Sequence, residues 1–119
     1  RLSSFVSGDS YVTFKDKTNV KIRLAKDILK MDGHPSFSSG NDSLMVTDTY
    51  PIKSNNDKQQ LLFFDLKLKK IIAKKYFNHD KYSHSPMRCD LHPRWSNDGK
   101  MFSIDTIDDG HRSINIYEI

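Results

Sequence analysis

Two stretches of the chain are copies of one another. Residues 34–38 read His-Pro-Ser-Phe-Ser and residues 92–96 read His-Pro-Arg-Trp-Ser, and each runs through a polar turn into an alternating strand. After the first come Ser39, Gly40, Asn41 and Asp42, then Leu44, Val46 and Asp48-Thr49. After the second come Asn97, Asp98 and Gly99, then Met101, Ser103 and Asp105-Thr106. Glycine and Asn/Asp suit a tight hairpin because they tolerate positive φ, and the flanking alternation is that of half-buried strands. A fainter third copy opens the chain, with Phe5-Val6-Ser7, the turn Gly8-Asp9, then Val12, Phe14 and Asp16. Self-similarity at this spacing leaves few folds open, because so small a unit cannot bury its apolar face alone and must stack on its neighbours.

Each copy continues into a further strand: Val20, Ile22 and Leu24 in the first, Leu61 to Leu66 in the second, Ile114, Ile116 and Tyr117 in the third. The second adds Ile71, Ile72 and Tyr76 among Lys67, Lys69, Lys70, Lys74 and Lys75. Lysines in that pattern suit a solvated outer strand guarded against edge pairing. The predicted fold class is therefore all-β: a partial β-propeller of about three four-stranded antiparallel blades, near 1–31, 32–78 and 79–119, in a single unit 1–119. The last blade lacks its outer strand. Ala25 to Met31 suits either a helical turn or an outer strand with a crossover, and 51–58 and 78–88 read as loops. A closed ring needs several blades of roughly forty residues each, so 119 residues are expected to be the end of a longer protein whose missing blades close the ring. Cut edges at both ends are expected to make such a fragment self-associate or to leave its termini disordered.

No apolar run is long enough to span a bilayer, and Arg1 opens the chain without a signal-like segment. The expectation is a soluble chain, cytoplasmic or periplasmic. A lone Cys89 excludes an internal disulfide and a thiolate metal cluster. A net charge of +4 favours anionic partners, but no aromatics interleave with the basic run as single-strand stacking requires, which argues against nucleic acid.

His34 and His92 hold the same place in adjacent units, just before the innermost strand, where a propeller's side chains converge on its axis. Asp90 stands two residues before His92, on the same face of an extended strand. The three form a donor set for a divalent ion with N/O preference, and Arg88 lies two residues further back. A second reading stands beside this one: repeated histidines can serve folding alone, by bonding a neighbouring carbonyl or carboxylate. For Asp48 and Asp105 the structural role, capping backbone groups between blades, is the expected one. Trp95 and Phe37 are expected in the core, and His79, His84 and His111 in loops or hairpins.

At these residues the chain resembles a known family. Asp32-Gly33-His34-Pro35-Ser36-Phe37-Ser38 and Arg88-Cys89-Asp90-Leu91-His92-Pro93-Arg94-Trp95-Ser96, with the closing Asp105 to Tyr117, look like the C-terminal blades of oligogalacturonate-lyase-like propellers. The likeness covers most of the chain. The aromatic-Ser-x-Asp-Gly turn is shared more widely, including by the periplasmic propeller of the Tol system. The resemblance implies a manganese-like divalent ion at the channel mouth, held by histidines and a glutamine and bound to a uronate carboxylate. The family's His-Pro-His segment would put its second histidine on His92 and its first on Asp90, a departure that adds negative charge and favours a harder ion. No glutamine stands where the family's does. The implied function is binding or β-elimination of acidic oligosaccharides, with metal ligands His34, Asp90 and His92, Arg88 as a carboxylate clamp, and the base outside this chain. The alternative is a non-catalytic propeller module that binds a protein or glycan of the cell envelope.

Overall fold

A computed structural model describes residues 2–6, 10–79, 86, 88–107 and 110–119, the first five by their backbone alone. His84 and the turn residues Ser7-Gly8-Asp9 and Asp108-Asp109 lie outside them. The described residues form ten strands in three antiparallel up-and-down sheets, with one 3-10 turn at Lys53–Asn55. The first sheet holds β1 (Leu2–Val6), β2 (Tyr11–Lys15) and β3 (Lys21–Leu24). The second holds β4 (Ser36–Phe37), β5 (Leu44–Asp48), β6 (Gln59–Asp65) and β7 (Lys70–Phe77), and the third β8 (Arg94–Trp95), β9 (Met101–Thr106) and β10 (Ser113–Glu118). The fold is thus all-β, and each sheet is a blade-like meander.

Among the described residues the first sheet has three strands, not the four expected of that unit. After β3 the chain turns at Ala25, whose φ is 47°, and the amides of Ile28 and Leu29 both donate to its carbonyl. That turn delivers Leu29, which is 3% exposed, into the contact between the first two sheets. A fourth strand there would pull this plug out. The third sheet ends at β10, as the repeat predicts. The stretch 51–58 is a tight cap: Asn56 and Asp57 take left-handed backbone and Ile52 bridges to Lys58, a conformation that Asn and Asp tolerate best after glycine.

The middle sheet is buried on both faces, which explains why β6 is apolar at consecutive positions instead of alternating. One face carries Met45, Leu62 and Phe64 into a cluster with Tyr11 and Leu29 of the first unit. The other carries Val46, Leu61 and Phe77 into a cluster with Leu91, Phe102 and Ile104 of the third, against which Phe63, Trp95 and Tyr117 also pack. Regular alternation along β6 puts Phe63 and Phe64 on opposite faces, and the bulge opposite them leaves Ile72 of β7 as the extra residue. As expected, Trp95 and Phe37 pack against these clusters.

The two His-Pro repeats meet turn to turn. Ser39 Oγ donates to the carbonyls of Ser96 and Asn97 at 3.0 and 2.7 Å, and Trp95 Nε1 donates to Ser36 O at 3.2 Å. Gly99 has the positive φ its hairpin requires (69°), whereas Gly40 is needed for space: a Cβ there would lie 2.7 Å from the Asp98 carbonyl oxygen. This junction brings the two histidines together.

Candidate functional site

His34 and His92 stand two residues ahead of β4 and β8, and their ring centroids are 3.8 Å apart with planes tilted by 54°. The carboxylate of Asp48, at the end of β5, ties them. Its Oδ1 accepts the His34 amide at 2.6 Å and its Oδ2 the His92 amide at 3.0 Å, so one side chain links the second sheet to the segment entering the third. Both oxygens also face His34 Nδ1, at 3.0 and 3.1 Å. The hydrogen bond to Asp48 raises the His34 pKa above its ordinary value, against the opposing effect of burial. It also assigns Nδ1 as the donor and leaves Nε2 as the nitrogen with a lone pair, the arrangement by which a carboxylate orients a metal-binding imidazole.

Space for Asp48 comes from Gly33. A Cβ on that glycine would lie 1.8 Å from the Asp48 carbonyl oxygen and 3.0 Å from Oδ1. His92 contributes a strained backbone, with φ at 41°, which non-glycine residues avoid and which a following proline disfavours further. The bond from its amide to Asp48 holds it there, and strain kept by a surrounding network is a recurrent mark of functional positions.

Asp90, 7% exposed, is the third donor. One ligating atom from each of His34, Asp90 and His92 can be chosen such that all lie within 4.8 Å of one another. Nitrogen and oxygen ligands sit about 2.1 Å from such a metal, so donors that share one ion lie within about 4 Å of one another, somewhat closer than the limit that bounds this group. The donor set of two imidazoles and a carboxylate suits a first-row divalent ion. His79 and His111 stand outside the group.

Arg88 is less free than the sequence implies. Its Nε donates to Asp90 Oδ2 at 3.0 Å, and its guanidinium lies 4.8 Å from the Tyr50 ring centroid. Tyr50 in turn meets His34 edge-on at 5.7 Å. Buried Gln59, at the start of β6, donates to Asp90 Oδ1 at 3.3 Å. The sequence reading found no glutamine in place for such a site and missed this one, because only the packing of the second sheet on the third brings β6 to Asp90. Alternation along β6 puts Gln59 on the face of Leu61, a signal that has meaning only once the facing unit is known. Arg112 is the other addition: its Nη2 donates to Arg88 O at 3.2 Å. Arg88, Asp90, His92, Asp105 and Arg112 share a cleft of about 550 Å³.

Asp105, the repeat counterpart of Asp48, makes a different bond and accepts Arg94 Nη2 at 2.7 Å. No known family model matches this chain, and no curated protein matches it.

Proposed function

We propose that the chain is part of a β-propeller whose His34, Asp90 and His92 hold a divalent, manganese-like ion beside a cleft that takes acidic oligosaccharides. The observation that carries this reading is the convergence of three donors from two repeat units, with Asp48 fixing the tautomer of one imidazole and the backbone of both. When bound, such an ion polarises a carboxylate as a Lewis acid, which suits a uronide and, in a lyase, proton removal beside that carboxylate. Arg88 and Arg112 put two guanidinium groups, the fork that suits a carboxylate, in the cleft beside the carboxylates of Asp90 and Asp105. Tyr50 walls the site, and Gln59 anchors Asp90 from behind.

One observation favours the alternative, a non-catalytic envelope-binding module. Asp90 is already paired through both oxygens, to Arg88 and to Gln59, so an ion competes with an internal ion pair.

Manganese binding to the intact chain, measured by calorimetry and elemental analysis, separates the readings. The proposal expects one ion per chain, loss of binding in His92→Ala and His92→Gly alike, and a uronide affinity that depends on the metal. The glycine variant should be the more stable by about 1 kcal/mol, because it relieves the left-handed backbone. A wild type that binds neither manganese nor a uronide overturns the site reading.

A further inference from the structure

The turn that joins β6 to β7, residues 66–69, reads Leu-Lys-Leu-Lys and holds none of the residues that favour turns. Lys69 takes left-handed backbone there, with φ at 53°, where glycine or asparagine would sit at less cost. Asp65 sets the turn, its Oδ1 accepting the amides of Lys67 and Leu68 at 2.8 Å each. Leu68 is thereby held out at the tip, 61% exposed between exposed lysines. Guarding against edge pairing accounts for the lysines along β7. A turn has no ladder edge to guard, and such guarding explains no exposed leucine.

A second turn projects beside the first. The turn that buries Leu29 leaves Ile28 exposed, and Ile22 of β3 is exposed with it. Ile22, Ile28 and Leu66 wall a cleft of about 460 Å³ shared by the first two sheets, whose charged lining is Arg23, Lys26 and Lys69 against Asp27. Since Lys69 lines this cleft together with Lys26 and Ile28, the two turns lie side by side. The surface is therefore apolar at its projecting points and basic around them. None of its residues belongs to the group of His34, Asp90 and His92 or to the cleft beside it.

We infer that this surface docks on an anionic lipid bilayer, with Leu68 and Ile28 entering the headgroup layer and Lys26, Lys67, Lys69 and Lys70 meeting lipid phosphates. A soluble polyanion would use the lysines and leave Leu68 and Ile28 in water. An uncharged apolar partner would use the two apolar side chains and strand the lysines. An anionic bilayer uses both: basic side chains are drawn to its surface potential, and their stems lie along the apolar boundary. Being deformable, it also takes projecting side chains without a matching pocket. The bonds from Asp65 fix the tip before docking, so little ordering is needed on contact.

The test is flotation of the full chain with vesicles of phosphatidylglycerol and phosphatidylcholine in equal parts, and with vesicles of phosphatidylcholine alone. The wild type should float with the first and not with the second, and high salt should release it. Leu68→Ser should weaken binding by about tenfold. Lys67→Gln/Lys69→Gln should weaken it by about fivefold for each lysine removed. Both variants should keep wild-type circular dichroism and Trp95 emission. Leu68→Trp should keep the binding and gain an emission component that shifts to the blue with anionic vesicles, as a ring entering the headgroup layer must. A wild type that does not float, equal binding to both kinds of vesicle, a Leu68→Ser variant that binds as the wild type does, or a Leu68→Trp emission blind to vesicles overturns the inference. Retention on phosphocellulose that needs Lys67 and Lys69 but not Leu68, without flotation, makes the surface a patch for soluble polyanions and overturns it too.

Discussion

Asp48 does the work of several residues. Its carboxylate accepts two backbone amides and one imidazole nitrogen from two repeat units, at 1% exposure. Replacing it by alanine leaves buried donors without an acceptor, each worth about 1–3 kcal/mol, and releases the strained backbone of His92. Asp48→Ala should therefore lower unfolding stability by about 3 kcal/mol in urea titration, and Asp48→Asn, which keeps one acceptor oxygen, by less. If alanine costs no more than a surface substitution, the clamp is not what joins the second unit to the third. The His-Pro repeat made His34 and His92 legible as a pair, and the two-residue strand period made Asp90 legible beside them. Asp48 was legible only as a repeated carboxylate expected to cap backbone groups, since nothing in a single chain order says which amides a carboxylate will reach.

Among the elements, β2 and β5 are joined by one polar link inside an apolar contact. Tyr11 Oη donates to Met31 O at 3.1 Å and lies 3.2 Å from Thr47 Oγ1, with the ring 1% exposed. Burial pushes its pKa from 10.0 to about 12, so the fold favours the neutral phenol. That contribution is whole below pH 10 and is lost as the pH rises through about 12. Spectrophotometric titration should show one tyrosine that resists ionisation until the protein unfolds, and Tyr11→Phe should remove it at a cost of about 1 kcal/mol. Ionisation of every tyrosine near 10 would contradict the burial. The strands themselves were largely legible from alternation and turn residues. The missing fourth strand of the first sheet was not, because Ala25 to Met31 suits strand and turn equally until Leu29 has a cluster to enter.

For the whole molecule, cohesion between the second and third sheets centres on Phe102, whose ring lies 5.1–5.7 Å from those of Phe63, Trp95 and Tyr117. Phe102→Ala should cost about 3–5 kcal/mol, and Trp95 emission should shift to the red as the third unit loosens. An unchanged melting temperature would mean that the sheets are held by their turns alone. The middle sheet, buried between the other two, makes the three sheets a stack in which neighbouring units share their apolar clusters.

The sequence by itself determined the all-β class, the repeat, the hairpin turns and the pairing of two histidines. These depend on local period and turn chemistry, which neighbouring residues encode. Only the tertiary structure decided that Asp48 clamps both histidines, that Gln59 and Arg88 hold Asp90, that Arg112 joins the cleft, and that the turns bearing Ile28 and Leu68 lie side by side. Each depends on which faces meet across sheets, a relation set by the packing of residues far apart in the chain and carried by no local pattern.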